Sequence, residues 1–143
     1  MDITYKLVDN ELTAEDFIRL KVATGFIDRP LQQAERALEN GLFNVSAICD
    51  GKVIGMGRLV GDGAMYWYLQ EIIVLPEYQG KGIGKSIVNR LIEHIKSTAI
   101  PGTKVDVGLT AVAGKEPFYE KFGFVVSSTG MRKWMEIDAV QGD

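Results

Sequence analysis

One stretch of the chain decides its fold, residues 74–85, which read Val74-Leu75-Pro76-Glu77-Tyr78-Gln79-Gly80-Lys81-Gly82-Ile83-Gly84-Lys85. The apolar residues just before it are typical of a buried strand, and three alternating glycines then open a long helical pattern. Glycine lets the backbone turn tightly and approach a ligand with no Cβ in the way. The helix behind it offers unpaired N–H groups and the positive end of its dipole. The combination predicts a socket for a phosphate or pyrophosphate.

Two common nucleotide motifs approach this pattern and fail. A P-loop requires Gly-x-x-x-x-Gly-Lys-Ser/Thr, and here Gln79 stands where its first glycine is needed. A dinucleotide fingerprint requires Gly-x-Gly-x-x-Gly, and Lys85 replaces its third glycine. That fingerprint also normally follows the first strand of a unit, whereas here about half of the chain comes before it.

Composition limits the class of protein. The 143 residues predict one domain, residues 1–138, with 139–143 as a flexible tail. A net charge of −3 argues against a nucleic-acid partner. The single cysteine, Cys49, fits a reducing cytoplasm, and neither a membrane span nor a signal peptide is visible. We therefore expect a cytoplasmic protein with no membrane partner and no metal site.

Periodicity predicts a mixed α/β fold, with an antiparallel meander before the glycine stretch and a helix-containing crossover after it. The strands are expected at residues 3–8, 43–49, 52–60, 64–75, 105–109, 124–128 and 131–137. The helices are expected behind Thr13 and Asp28, from residue 83 to just before Pro101, and at 117–122. Asp50-Gly51 predicts a two-residue hairpin turn.

The pattern Val74-x-Pro76-x-x-Gln79-Gly80-x-Gly82-x-Gly84 resembles the acyl-CoA-binding motif of the GNAT superfamily of N-acetyltransferases. Residues 117–124, Pro-Phe-Tyr-Glu-Lys-Phe-Gly-Phe, look like the second signature of that family, a short helix carrying a tyrosine. The resemblance covers roughly residues 2–137. It implies one GNAT-type domain, a mostly antiparallel mixed sheet with a splayed parallel strand pair and helices on both faces. It also implies acetyl-CoA as cosubstrate and a primary amine, on a small molecule or a peptide, as acceptor.

The resemblance assigns roles to particular residues. Tyr119 corresponds to the general acid beside the sulfur, the Ile72 N–H to the group that polarises the thioester carbonyl, and Glu71 to an acidic residue near the amine. The strand carrying Ile72 would be bulged. The cofactor would lie on residues of the strand end and the glycine loop: Ile73, Val74, Gln79, Gly80, Lys81, Gly82, Ile83, Gly84 and Lys85. The two helices before residue 41 would form a wall of the acceptor site.

Simpler interpretations stay open for several of these residues. Glu71 is equally consistent with a base, an amine binder or a structural ion pair, and Lys81 and Lys85 with plain solvated surface. His94 and Cys49 are expected to be structural. Many relatives carry an asparagine where this chain has Val112, so one cofactor contact is missing or is replaced by Lys115.

Two rival functions also stay open. A non-catalytic acyl-CoA-binding domain would bind the cofactor without releasing thiol, and a P-loop-like nucleotide binder would bind ATP without coenzyme A. The acceptor itself is not readable. Four aromatic residues would line its pocket or form the interface of a homodimer: Tyr66, Trp67, Tyr68 and Trp134.

Overall fold

The structure, a computed structural model, describes residues 3–127 and 129–139. The chain divides into two compact units, one up to Thr110 and one from Ala111 onward. The first unit contains five strands, β1 (Lys6–Asp9), β2 (Phe43–Cys49), β3 (Lys52–Gly61), β4 (Tyr66–Val74) and β5 (Asp106–Leu109). Its helices are α1 (Ala14–Ala23), α2 (Leu31–Asn40) and α3 (Ile83–Thr98).

The five strands form one sheet in the order β1-β2-β3-β4-β5. The first four are antiparallel to their neighbours, and β5 runs parallel to β4 because α3 returns the chain to the same end of the sheet. Asp50 and Gly51 both have positive φ, 51° and 74°, as a twisted two-residue hairpin turn requires. The predicted meander, hairpin and parallel crossover are confirmed.

The sheet carries helices on both faces. On one face lies the apolar side of α3, formed by Ile83, Ile87, Val88, Leu91 and Ile95. The contact is close, since a Cβ built on Gly57 of β3 would lie 2.7 Å from Ile87 Cγ2. On the opposite face the Phe17 ring of α1 lies 5.8 Å from the guanidinium of Arg58, the next residue of β3. The predicted two-sided architecture is therefore confirmed.

The ends of two predicted elements follow the expected chemistry. Thr13 caps α1, because its hydroxyl accepts a hydrogen bond from the Asp16 N–H at 3.1 Å. In the turn before β4, the Asp62 carboxylate accepts hydrogen bonds from the N–H groups of Ala64, Met65 and Tyr66. These bonds, led by that of Tyr66, lower the pKa of Asp62.

The second unit contains one short helix, α4 (Glu116–Glu120). The strands expected at 124–128 and 131–137 are wrong for their described residues, which adopt no regular secondary structure. A strand requires a partner for its backbone groups and a buried face to set its register. Val125, Met131 and Ile137 are 85%, 99% and 84% exposed, so no such face exists. Ser128 and most of the expected tail, residues 140–143, lie outside the described residues.

Within the described part of the chain, none of the helices combines the length and the apolar character needed to cross a membrane.

Candidate active site

Strand β4 carries a bulge at Glu71. Met56 is paired with Ile73 and Arg58 with Gln70, so Gly57 alone faces both Glu71 and Ile72. Glu71 has a φ of 49°, in the left-handed region that non-glycine residues rarely adopt. Such strain, on the order of 1–3 kcal/mol, persists where the surrounding structure enforces it and is concentrated at functional sites.

The bulge changes the direction of the Glu71 side chain. Trp67 meets His94 of α3 edge-on, with ring centroids 6.3 Å apart, so this residue of β4 faces α3. Strict alternation would point Glu71 to the same face. Its carboxylate instead contacts Lys21 of α1, on the other side of the sheet. The extra residue in β4 thus moves a carboxylate from the apolar core to the face that carries α1 and α2.

Beyond the bulge, β4 has an open edge. Its pairing with β5 ends at Leu69 and Leu109. The Leu75 N–H donates to the Ile54 carbonyl at 2.9 Å, which turns both backbone groups of the preceding Val74 away from β3. The Val74 carbonyl accepts a hydrogen bond from Gln79 Nε2 at 2.9 Å. The Val74 N–H therefore points to an edge that β5 does not cover.

The neighbours of Val74 follow the alternation of a strand. Ile73 is paired with Met56, so its N–H and carbonyl point toward β3, and its side chain is buried. The Ile72 N–H points the same way as that of Val74, toward the open edge. β4 and β5 therefore separate at the point where the N–H groups of Ile72 and Val74 have no partner strand among the described residues, in agreement with the expected splayed pair.

The glycine loop leads directly into α3. Gly80 and Gly82 have φ of 79° and 82°, a conformation that strongly favours glycine. Gly82 is the N-cap of α3, and no side chain in the described part of the chain caps the N–H groups of the first turn. A Cβ on either glycine would meet none of the described protein atoms within 4 Å, so the space beside the loop is open. The loop therefore presents uncapped donors of Ile83, Gly84 and Lys85 at the positive end of a 16-residue helix.

The side chains of the glycine loop have two different roles: Gln79 hydrogen-bonds to the protein, whereas Lys81 and Lys85 face solvent. Gln79 fixes the loop to the end of β4 through its bond to Val74. Lys81 and Lys85 are exposed and form no ion pair among the described residues. Their ammonium groups are therefore available to an anionic ligand as well as to water.

In the second unit, Tyr119 lies on α4 among aromatic rings. Its ring meets Phe118 and Phe124 edge-on, with centroids 4.9 and 6.3 Å away, and Phe118 also contacts Phe122 as its four-residue spacing predicts. Burial raises the pKa of the Tyr119 phenol above its usual value of 10.0. The hydroxyl therefore keeps its proton, as a donor must. Val112, in the place of the absent asparagine, is 54% exposed.

Glu71 is the centre of a charged cluster that we call the Glu71 triad, consisting of Glu71, Arg58 and Lys21. Its Oε2 accepts a hydrogen bond from Arg58 Nε at 2.7 Å, and its Oε1 lies 3.5 Å from Lys21 Nζ. The three side chains are only 14%, 14% and 10% exposed. Sequence reasoning missed both cations. The available signal was Lys21 four residues after Phe17, at a position that helical periodicity makes core-facing.

Other sequence expectations are resolved individually. His94 stacks on Phe43 with centroids 3.9 Å apart, and desolvation lowers its pKa, so it is a neutral structural ring near pH 7. Cys49 is buried, as expected. Trp67 is 2% exposed, so assigning it to a pocket lining or an interface is wrong. It belongs to the core because its strand position faces α3.

Comparisons with known proteins agree with this geometry. The family described as "Acetyltransferase (GNAT) domain" matches residues 41–126, more than half of the chain. A probable acetyltransferase of unknown function from meticillin-resistant Staphylococcus aureus is 30% identical, with a TM-score of 0.83 over 94% of this chain and 100% of that one. A GNAT-family acetyltransferase from Streptococcus pneumoniae is 28% identical, with a TM-score of 0.77 over the same shares.

A curated relative, the uncharacterized N-acetyltransferase ycf52 of Pyropia yezoensis, is 26% identical over 77% of this chain. The chain spans 63% of the length of that relative. The five-stranded mixed sheet, with its parallel β4–β5 pair and flanking helices, is the α/β fold of these acetyltransferases. The chain belongs to the GNAT family of acetyltransferases, whose members use acetyl-CoA as cosubstrate.

Proposed function

We propose that the protein transfers the acetyl group of acetyl-CoA to a primary amine by direct attack within a ternary complex. The observation that carries this proposal is the open edge of β4 beside the uncapped glycine loop. Backbone donors on the edge suit a pantetheine arm, and the loop with the start of α3 suits a pyrophosphate. We assign the cofactor contacts to the Ile72 and Val74 N–H groups and to the loop residues 79–85. Ile73, also predicted as a cofactor contact, is left out of this assignment because its backbone is paired with Met56 of β3.

The proposed reaction balances without a covalent enzyme intermediate. The neutral amine attacks the thioester carbon, a C–N bond forms, and the carbonyl oxygen gains negative charge beside the Ile72 N–H. One oriented donor at such an oxygen is worth about 3–4 kcal/mol. The C–S bond then breaks, the thiolate leaves with the electron pair, and Tyr119 hydrogen-bonds or protonates it. The proton lost by the amine passes to solvent, and solvent returns a proton to Tyr119 where it has protonated the thiolate, giving an amide and coenzyme A.

We propose that Glu71 positions the acceptor site and is not the base. Both of its carboxylate oxygens already face cations, which leaves less lone-pair capacity for an ammonium proton. The strained backbone at this residue also fixes the carboxylate against Arg58 and Lys21 and away from the α3 core.

The variant Glu71→Gln is expected to raise KM for the amine several-fold and to leave the rising limb of kcat/KM against pH in place. The reason is that glutamine keeps the shape of the side chain but lacks the negative charge that holds both Arg58 and Lys21. Steady-state rates across pH measure this, with Glu93→Gln, which removes an exposed carboxylate of α3, as a control for the lost charge. An upward shift of the rising limb in Glu71→Gln would instead make Glu71 the base.

The proposed activity is tested by coenzyme A release over a panel of polyamines, amino sugars, aminoglycosides, arylalkylamines and peptide N-termini. Thiol release that depends on one amine class, with the acetylated amine identified by mass, supports the proposal. Calorimetric binding of acetyl-CoA with no thiol release for any amine would support the rival, a non-catalytic acyl-CoA-binding domain. Binding of ATP without coenzyme A would contradict both.

Three further expectations remain part of the proposal. A cytoplasmic location is tested by fractionation, which matters because a GNAT relative from Arabidopsis thaliana is named chloroplastic. Residues 1–138 as a single domain are tested by limited proteolysis around Thr110, where the two compact units meet in sequence. A homodimer is tested by light scattering.

A further inference from the structure

The charges of the Glu71 triad do not balance. Lys21 and Arg58 contribute two positive charges and Glu71 one negative charge, and no other described carboxylate pairs with either cation. All three side chains are at least 86% buried. A buried cation without a partner is unfavourable, because the interior does not replace its hydration. The site therefore holds one net positive charge that a ligand anion would offset.

The two cations also keep unused donors. The Arg58 Nε donates to Glu71, and Nη1 lies 3.5 Å from the Ala37 carbonyl of α2. The Arg58 Nη2 group donates to no acceptor among the described residues. Lys21 Nζ has three protons and, among the described residues, one anionic neighbour, 3.5 Å away. Several N–H donors thus remain for a carboxylate or phosphate oxygen.

An aromatic ring fixes the cations in place. Lys21 Nζ lies 5.3 Å and Arg58 Cζ 5.8 Å from the centroid of the Phe17 ring. Cation–π attraction and the shared Glu71 carboxylate hold both groups on one side of the sheet. The pair is therefore preorganised, so a ligand that binds it pays little entropy for ordering side chains.

The triad also lies beside the proposed reacting atoms. Glu71 is adjacent in β4 to Ile72, whose N–H faces the open edge. The other charged groups of α1 nearest in sequence, Asp16 and Arg19, pair with each other at 3.0 Å and leave the triad as the unbalanced cluster. A ligand whose anionic group binds Lys21 and Arg58 would thus be held next to the bulge of β4.

We propose that the acceptor is a primary amine that carries an oxyanion, a carboxylate or a phosphate, and that Lys21 and Arg58 bind this group. The inference rests on the proposed acetyl transfer and names its substrate class. Glu71 then keeps the two cations in register for the ligand. The amine end of the same molecule extends toward the thioester.

Matched acceptors test the proposal. ω-Aminoalkanoates of increasing chain length are compared with their uncharged amides, and ω-aminoalkyl phosphates with the parent amino alcohols. Rates are corrected for the fraction of free amine. At the best chain length, we expect kcat/KM to be at least about tenfold higher for the anionic member of each pair. This ratio corresponds to the lower end of the free energy of one hydrogen bond to a charged group. The better of the two series distinguishes carboxylate from phosphate.

Variants locate the recognition. Lys21→Met is expected to reduce the preference toward unity. Lys21→Arg, which restores the charge, and Lys52→Met, which removes an exposed lysine at the start of β3, are expected to retain it. If Lys21→Met does not fold, Arg58→Lys takes its place, since it keeps the charge and loses the Nη2 donors. No preference in the wild type, or a preference that survives Lys21→Met (or Arg58→Lys in its place), would overturn the proposal.

Failure of acetyl transfer is a separate outcome. If no amine of either kind releases thiol, the proposed activity is wrong, and the same preference is measured as calorimetric affinity in the presence of coenzyme A. Tighter binding of the anionic member that depends on Lys21 then supports the anion site by itself. Equal affinities overturn it.

Discussion

Tyr119→Phe is expected to lower kcat by about 10²- to 10⁴-fold, the usual contribution of a positioned general acid. The substitution removes only the hydroxyl, and the ring keeps its edge-on contacts with Phe118 and Phe124. Acetyl-CoA affinity should therefore be unchanged. Single-turnover rates at saturating acceptor, with calorimetry of the cofactor, measure the two effects separately.

The pH profile adds a second test of Tyr119. A phenol acts as an acid only while it holds its proton, and burial raises its pKa above 10.0. Activity should therefore rise with pH as the amine loses its proton, with no falling limb due to Tyr119 below pH about 10. A near-normal single-turnover rate in Tyr119→Phe would show that a group other than Tyr119 donates to the leaving sulfur.

Local patterns predicted the first unit well because its elements carry their own signals. The apolar face of α3, the Asp50-Gly51 turn and the alternating strands each depend on neighbours in sequence. The strands expected after residue 123 failed for the opposite reason. Apolar residues such as Val125 and Ile137 indicate a strand only when another strand accepts their backbone groups, and sequence does not reveal whether one does.

The site was predictable in its backbone parts and not in its charges. Three glycines in alternation indicate a loop that approaches a ligand, so the positive φ at Gly80 and Gly82 was foreseeable. The bulge at Glu71 depends on a register between two strands, which no local pattern encodes. Helical periodicity places Lys21 on the core-facing side of α1, but its pairing with Glu71, and that of Arg58, depends on the bulge together with the packing of α1.

Gly82→Ala is expected to weaken acetyl-CoA binding by roughly 10- to 150-fold, equivalent to one hydrogen bond to a charged group. A methyl group there meets no atom of residues 3–127 and 129–139 within 4 Å, so it projects into the open space beside the uncapped first turn of α3. Alanine at a φ of 82° also strains the backbone, by about 1–2 kcal/mol.

Gly102→Ala separates these two effects. Gly102 has the same φ of 82°, and a Cβ there likewise meets nothing within 4 Å, but the residue lies in the turn after the C-terminal end of α3. Both variants should therefore lose similar amounts of thermal stability, because the backbone strain is the same. Only Gly82→Ala should lose acetyl-CoA affinity in calorimetry, since only that methyl group occupies the space of the pyrophosphate. Equal affinities in the two folded variants would show that the loop is not the cofactor site, and the proposed activity would lose its main support.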